Sequence, residues 1–314
     1  MRASRHAVIL AGGRGTRMGS LTDRTPKPLL PLAGEPIVLH QLRWLAAAGI
    51  ADVTLAAAYR AADFDAVVET ARAELGLAVR ALDEGEPRGT GGGLRHACPE
   101  LEADEGVVVV NGDLVTGHDL RTQLARFAAP DAPQAVVHVR EVDDARPYGC
   151  VVVRGGRGAD ADRVTAFLEK SPDPPARTVN AGTVVLSGRA VARVPVEGVV
   201  SLERDVYPAL VADGGVVAHR ESAYFADVGT PAALAATSAD VVRFGFPPTP
   251  ASTPVRESWC HHAARVAPDA VLTGGTSVLA GATVGAGARL EGVLVLEGAR
   301  VAPGAVLAGV VVAP

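Results

Sequence analysis

Along the first third of the chain, apolar residues come in short blocks of two rhythms, continuous runs and runs spaced three and four apart. HAVILA (6–11) is a continuous run ahead of a glycine turn and predicts a buried strand. EPIVLHQLRWLAAAG (35–49) predicts a helix: Val38, Leu42 and Leu45 fall on one face, Pro36 sits near the first turn, and Gly49 is placed to end it. ADVTLAAA follows as a second strand, residues 63–75 as a second helix, LAVRAL as a third strand and GGLRHACPEL as a third helix. The fully apolar strand GVVVVNGD then stops at Asn111-Gly112-Asp113. Strands alternating with helices predict an α/β fold, a Rossmann-like, doubly wound and mostly parallel sheet covered on both faces. In such sheets ligands bind beyond the carboxyl ends of the strands, where the turn after HAVILA and Asp113 both fall.

The second half is richer in strands and less regular. QAVVHVREV, CVVVRG, RVTAFLEK and NAGTVVLS read as strands, SLERDVYPALVADG as a helical patch, and a helix runs from about Pro231 to Phe244. FPPTPASTP is a semi-rigid, proline-rich linker. Beyond it Val266, Leu272, Val278, Val284 and Leu290 recur every sixth residue; the step to Val295 is one short, and Val301 and Leu307 restore the interval. With small residues between them, these hexapeptide repeats predict a small left-handed parallel β-helix, each coil burying one aliphatic row against the next. The expected organisation is an α/β domain over residues 1–245, a linker over 246–256 and a β-helix over 257–314.

The 314 residues carry a formal charge of −5, so bulk charge argues against a nucleic-acid partner, and an anionic ligand must be drawn by a local cluster. Residues 8–31 form such a cluster, with four glycines, three prolines, three arginines and a lysine. Of 30 basic residues only Lys27 and Lys170 are lysine, and the only asparagines are Asn111 and Asn180. A chain so biased toward arginine keeps lysine where a compact point charge is required. Cys98, Cys150 and Cys260 are odd in number and lack metal-type spacing, which suits a reducing compartment. Arginines interrupt the first apolar run, no small-residue cleavage site follows, and no run approaches the roughly 20 residues of a membrane span. The expectation is a cytoplasmic protein with no membrane partner.

The turn after HAVILA matches neither common phosphate motif. From Gly13 the dinucleotide pattern wants glycine where Met18 stands, and the Walker Gly-Lys-Ser/Thr is absent. What remains is a strand-to-helix loop of glycine amides with Arg14, Arg17, Arg24 and Lys27 around it, an anion-binding concavity whose cations suit a polyphosphate. His261 and His262 beside Cys260 have no partner cluster nearby in sequence and are read as part of the first β-helix coil rather than as metal ligands.

LAGGRGTRMGSLTDRTPKPLLPLAGEPI resembles the signature of the sugar-1-phosphate nucleotidyltransferases, and EPRGTGGGL, NGD, PYG, FLEK, VNAG and YFADVGT follow in that family's order over residues 6–240. GTGG together with SLERDVYPAL looks most like the mannose- and heptose-1-phosphate guanylyltransferases. The resemblance implies that a sugar 1-phosphate oxygen attacks the α-phosphorus of a nucleoside triphosphate in line and pyrophosphate leaves, which asks the protein for positioning and charge neutralisation. It implies Arg17 on the triphosphate, Lys27 at the α-phosphate, and Asp113 and Asp227 as ligands of Mg2+. Leu10, Gly12, Gly13, Gly15, Thr16, Gly89 and Thr90 are the implied nucleotide contacts, with Glu86 at the base. Guanine offers two adjacent donors that a carboxylate accepts together, which favours GTP. Gly149, Glu169, Lys170 and Asn180 match positions that hold the sugar phosphate, with a related cyclitol phosphate as an alternative acceptor. Thymidylyl, uridylyl or adenylyl transfer, or a silent nucleotide-sugar-sensing subunit, are the competing readings. The β-helix is expected to carry the contacts of a homo-oligomer.

Overall fold

A computed structural model describes residues 5–129, 133–155, 162–248 and 253–314. Part of the expected linker, residues 249–252, lies outside the described residues. The chain folds into two units. The first comprises the residues up to Gly13 together with Leu42–Gly112 and His118–Ala223; the second comprises Arg14–Gln41, Asp113–Gly117 and Tyr224–Pro314.

Among the described residues, nine strands of the first unit form one sheet: β1 (His6–Leu10), β2 (Asp52–Ala57), β3 (Ala78–Asp83), β4 (Gly106–Asn111), β5 (Ala135–Glu141), β6 (Gly149–Val153), β7 (Val164–Glu169), β8 (Thr178–Ser187) and β9 (Val216–Arg220). The path β7-β6-β8-β4-β1-β2-β3 carries the predicted parallel half, in which β1 pairs with β2 and β4, and β2 with β3. From β8 onward the pairing becomes mixed: β8 runs antiparallel to β4, β5 and β6, β7 antiparallel to β6, and β9 parallel to β5. β1, β2 and β4 are near-continuous apolar runs because both faces are covered, whereas the edge strand β3 is mostly not buried; Val8, Val107, Val137 and Leu186 are fully buried in one core with Leu94 and Leu210 from helices.

Gly188–Ala192 is a short helix absent from the sequence reading, and two longer helices also depart from it. The third begins at Gly89 and stops at Ala97, earlier at both ends than expected. Its glycines 91–93 are poor helix formers but are buried, and side chains at Gly92 and Gly93 would strike Arg88 and Glu84. A helix over Leu120–Phe127, absent from the sequence reading, is capped by Asp119, whose carboxylate accepts the Arg121 and Thr122 N–H groups.

In the second unit, helix Pro231–Phe244 begins at a Thr230 cap and packs on Pro31–Leu32 and on the β-strands 276–278, 294–295 and 311–312. The C-terminal segment is a parallel β-helix of three sheets, aligned as Trp259↔Ser277↔Leu294↔Val311, Arg265↔Thr283↔Arg300 and Leu272↔Leu290↔Leu307. The short step from Leu290 to Val295 is absorbed by shortening one coil by a residue, so Val278, Val284, Leu290, Val295 and Val301 still stack as one buried core.

Candidate active site

Arg17, Lys27, Asp113 and Asp227 come together in the second unit. Gly15, in a left-handed conformation (φ 63°), turns the chain into the 3-10 segment Thr16–Thr22, where Met18 is buried and the neighbouring Arg17 exposed. The Thr22 hydroxyl, donating within reach of the Gly15 and Gly19 carbonyls at 3.1 and 3.3 Å, ties this turn shut. Strands Leu114–Thr116 and Phe225–Asp227 form an antiparallel ribbon that sets Asp227 opposite Leu114, and the Val228 N–H donates to the Asp113 carbonyl at 2.9 Å. Two carboxylates distant in sequence are thereby placed beside one another.

Their charge is answered by the cations the sequence singled out. Lys27 Nζ forms an ion pair with Asp113 Oδ2, the two side chains only 13% and 21% exposed. Arg17 lies against Gly229, where a Cβ would stand 2.9 Å from Arg17 Nη2 and 3.0 Å from Asp227 Oδ1. Burial pushes the Asp227 carboxyl up to about 6; Asp113 adds to the shift and Lys27 and Arg17 oppose it. Among the described residues Asp227 Oδ1 is buried with no hydrogen-bond partner, a costly state for a polar atom.

The glycine turn lies in the first unit. Leu10 is in register with Asn111, and the Gly112 N–H donates to its carbonyl at 3.0 Å. Gly12 packs against Ala58 and Glu84, Gly13 is exposed, and Thr16 in the second unit is also exposed. Glu86 is exposed as well, whereas Glu84 is 6% exposed between Gly12 and Gly93, and burial raises its carboxyl above the usual range. The Gly89–Thr90 turn is held by the segment after Val200: the Gly91 N–H donates to the Val200 carbonyl at 2.8 Å, the Thr90 hydroxyl donates to Glu203 at 2.9 Å and accepts the Leu202 N–H at 2.8 Å. Thr90 therefore spends its hydroxyl on the scaffold.

The four residues read as sugar-phosphate contacts lie together at one level of the same sheet. Gly149 of β6 stands opposite Glu169 of β7, and the Val179↔Cys150 pair sets Asn180 on its other side. β8 bulges after Asn180, whose side chain accepts the Gly182 N–H at 3.1 Å. Lys170 has a positive φ of 49° that points to local strain, is 60% exposed, and reaches Glu169 Oε1 at 3.4 Å.

The model of the family described as "Nucleotidyl transferase" matches residues 6–243. The chain belongs to that family. This nucleotidyl transferase is 42% identical over 291 residues, 92% of its length and 79% of the relative's, to a mannose-1-phosphate guanylyltransferase of Mycobacterium tuberculosis. It is 32% identical over 226 residues to a mannose-1-phosphate guanyltransferase of Aspergillus fumigatus, covering 72% of this chain and 61% of that one. Among solved structures it is similar to HddC from Yersinia pseudotuberculosis complexed with GMP-PN, with a TM-score of 0.60, 29% identity, and coverage of 73% of this chain and 96% of that one.

Three residues of this nucleotidyl transferase escaped the sequence reading. None of them carried a signal in the sequence: the burial of Glu84 arises only in the fold, and the partners of Glu203 and Gly229, Thr90 and Arg17, lie 113 and 212 positions away. The three cysteines are free thiols, Cys98 and Cys150 buried and Cys260 exposed. No helix among the described residues is long and apolar enough to cross a membrane.

Proposed function

We propose that the protein transfers GMP from GTP to the phosphate of a mannose-type sugar 1-phosphate and releases pyrophosphate. The observation that carries this reading is the pairing of Asp113 with Asp227 beside Lys27 and Arg17, a site that gathers negative donors and positive clamps within one ribbon and its neighbouring loop. The names of the M. tuberculosis and A. fumigatus relatives and the GMP-PN bound by HddC support the guanylyl choice.

Joining two phosphate groups presses like charges together, so the work of the protein is neutralisation and alignment. Arg17 stabilises charge on the departing pyrophosphate, and Lys27 leaves Asp113 to meet the α-phosphate. The glycine amides of residues 12, 13 and 15 bind phosphate oxygens, with Leu10, Thr16, Gly89 and Thr90 shaping the nucleotide side. Glu84, rather than the exposed Glu86, accepts the two guanine donors. Lys170 pairs with the sugar phosphate, while Glu169, Asn180 and the Gly149 backbone bind the hydroxyl face.

Asp113 and Asp227 fit a divalent cation, because two carboxylates, one with an unpartnered buried oxygen, offer hard donors in small number. Magnesium held by Asp113 and Asp227 would supply positive charge against the phosphates. The β-helix carries homo-oligomer contacts through outward positions such as Val271 and Val306, aligned in one column, and the enzyme works in the cytoplasm, where its thiols stay reduced. The test is pyrophosphate release with magnesium across all nucleoside triphosphates, each paired with mannose, heptose, glucose and cyclitol 1-phosphates. GTP with mannose 1-phosphate is expected to be the productive pair; turnover with another base would remove the Glu84 argument, and silence throughout would favour the sensing subunit.

A further inference from the structure

The two-stranded hairpin that follows Lys27, Pro31–Leu32 against Glu35–Pro36, is clamped by the β-helix. Its turn is made by Ala33 and Gly34, both at positive φ, and the Trp259 indole from the first β-helix strand lies over Gly34, so that a Cβ there would stand 2.4 Å from Cη2. The Ala33 N–H donates to Ser238 Oγ at 3.0 Å, and Ser238 Oγ in turn bonds Ser277 Oγ of the β-helix at 3.1 Å, both serines being at most 1% exposed.

The apolar contacts follow the same arrangement. Met18, Leu30, Val115 and Val228 belong to one buried cluster that Leu279 and Leu294 of the β-helix complete. Those four lie one to three positions along the chain from Arg17, Lys27, Asp113 and Asp227 respectively. Each of these four charged residues thus has a close chain neighbour in a buried cluster that β-helix side chains share. A buried cluster of this kind transmits displacement because interiors are close-packed.

We infer that the first coils of the β-helix are a positioning element of the phosphate site, and that Trp259 is a positioning residue for Lys27, acting through Gly34. The inference rests on the reading of Lys27 as a phosphate ligand. Displacing a catalytic cation by about 1 Å costs on the order of a hundredfold in rate, so removing the indole that fixes its hairpin is expected to act on turnover more than on binding.

The experiment compares Trp259→Ala, Trp259→Phe and Val301→Ala in the full chain, the last removing packing from the separate β-helix core. Trp259→Ala is expected to lower kcat at least about tenfold with KM for the sugar phosphate within about twofold, and Trp259→Phe to recover most of it. Val301→Ala should keep its kcat, and hydrogen exchange at the Leu32–Ile37 amides should rise in Trp259→Ala alone. Unchanged kcat in Trp259→Ala, or an equal loss in Val301→Ala, would overturn the inference. Should Trp259→Ala fail to fold, Ser277→Ala removes only the hydroxyl that orients Ser238; a severalfold fall in kcat at unchanged Tm supports the inference, and unchanged kcat overturns it. If the wild-type chain transfers no nucleotide, the reading of the site fails, while hairpin exchange in Trp259→Ala against Val301→Ala still decides the packing claim.

Discussion

Glu84 and Glu86 stand two residues apart and differ in what surrounds them. Glu86 is exposed, where water satisfies its charge; Glu84 is buried in the glycine turn, where burial raises its carboxyl and the Arg88 backbone and charge oppose the shift. Glu84→Gln replaces one of two acceptor oxygens with a donor and is expected to raise the KM for GTP roughly tenfold or more, against little change in Glu86→Gln. Steady-state kinetics with GTP varied at saturating sugar phosphate check this; equal effects of the two changes would return the base contact to Glu86. Sequence alone singled out the carboxylate nearest the Gly-Thr-Gly turn, because the burial that distinguishes Glu84 arises only when Gly12 and Gly93 close on it. By contrast the cationic loop that carries Arg17 and Lys27 and the strand end at Asp113 were visible in residue type and position, while the roles given to these residues come from the family resemblance.

At the scale of elements, the Gly89–Ala97 helix and the segment Val200–Leu202 are joined through Thr90, which both donates and accepts. Thr90→Val leaves the Leu202 N–H and the Glu203 carboxylate each without that partner and is expected to cost about 1–3 kcal/mol of stability, measured by denaturant unfolding; Thr90→Ser, which keeps the hydroxyl, should lose much less. A second element-level feature is the contact of His118, just before helix Leu120–Phe127, with His138 of strand β5, ring centroids 3.9 Å apart, with Trp44 and His219 around it. Burial pushes His138 down to about 2 and His118 to about 4, neighbouring histidines adding to both. With folded values below the unfolded 6.5, both rings bind protons more readily in the unfolded chain. Their contribution to stability is full above about pH 6.5 and is lost as pH falls through that value toward 4, at roughly 1 kcal/mol per pH unit for each ring. Unfolding titrations at about pH 7.5 and about pH 5 should show this loss, with a shallower slope in His138→Leu. The sequence pattern identified the strand that carries His138 but not the helix facing it, because Gln123, fully buried through hydrogen bonds to β5 and β8, reads as a polar break in the apolar period.

At the scale of the molecule, the hexapeptide period was readable because a β-helix repeats the same burial at every corner, and the one-residue slip before Val295 marked a shortened coil. What the period does not encode is that the β-helix shares a core with the loop bearing Arg17 and Lys27, since Leu279 and Leu294 look like any other aliphatic positions in the repeat. The central claim, that Asp113 and Asp227 form the carboxylate pair of a GMP transfer, is tested most directly by pyrophosphate release from GTP and mannose 1-phosphate with magnesium. Wild type, Asp113→Asn and Asp227→Asn would be measured side by side. The account predicts release by wild type and a fall in kcat of at least about a hundredfold in each variant. Wild-type rates in both variants would contradict it.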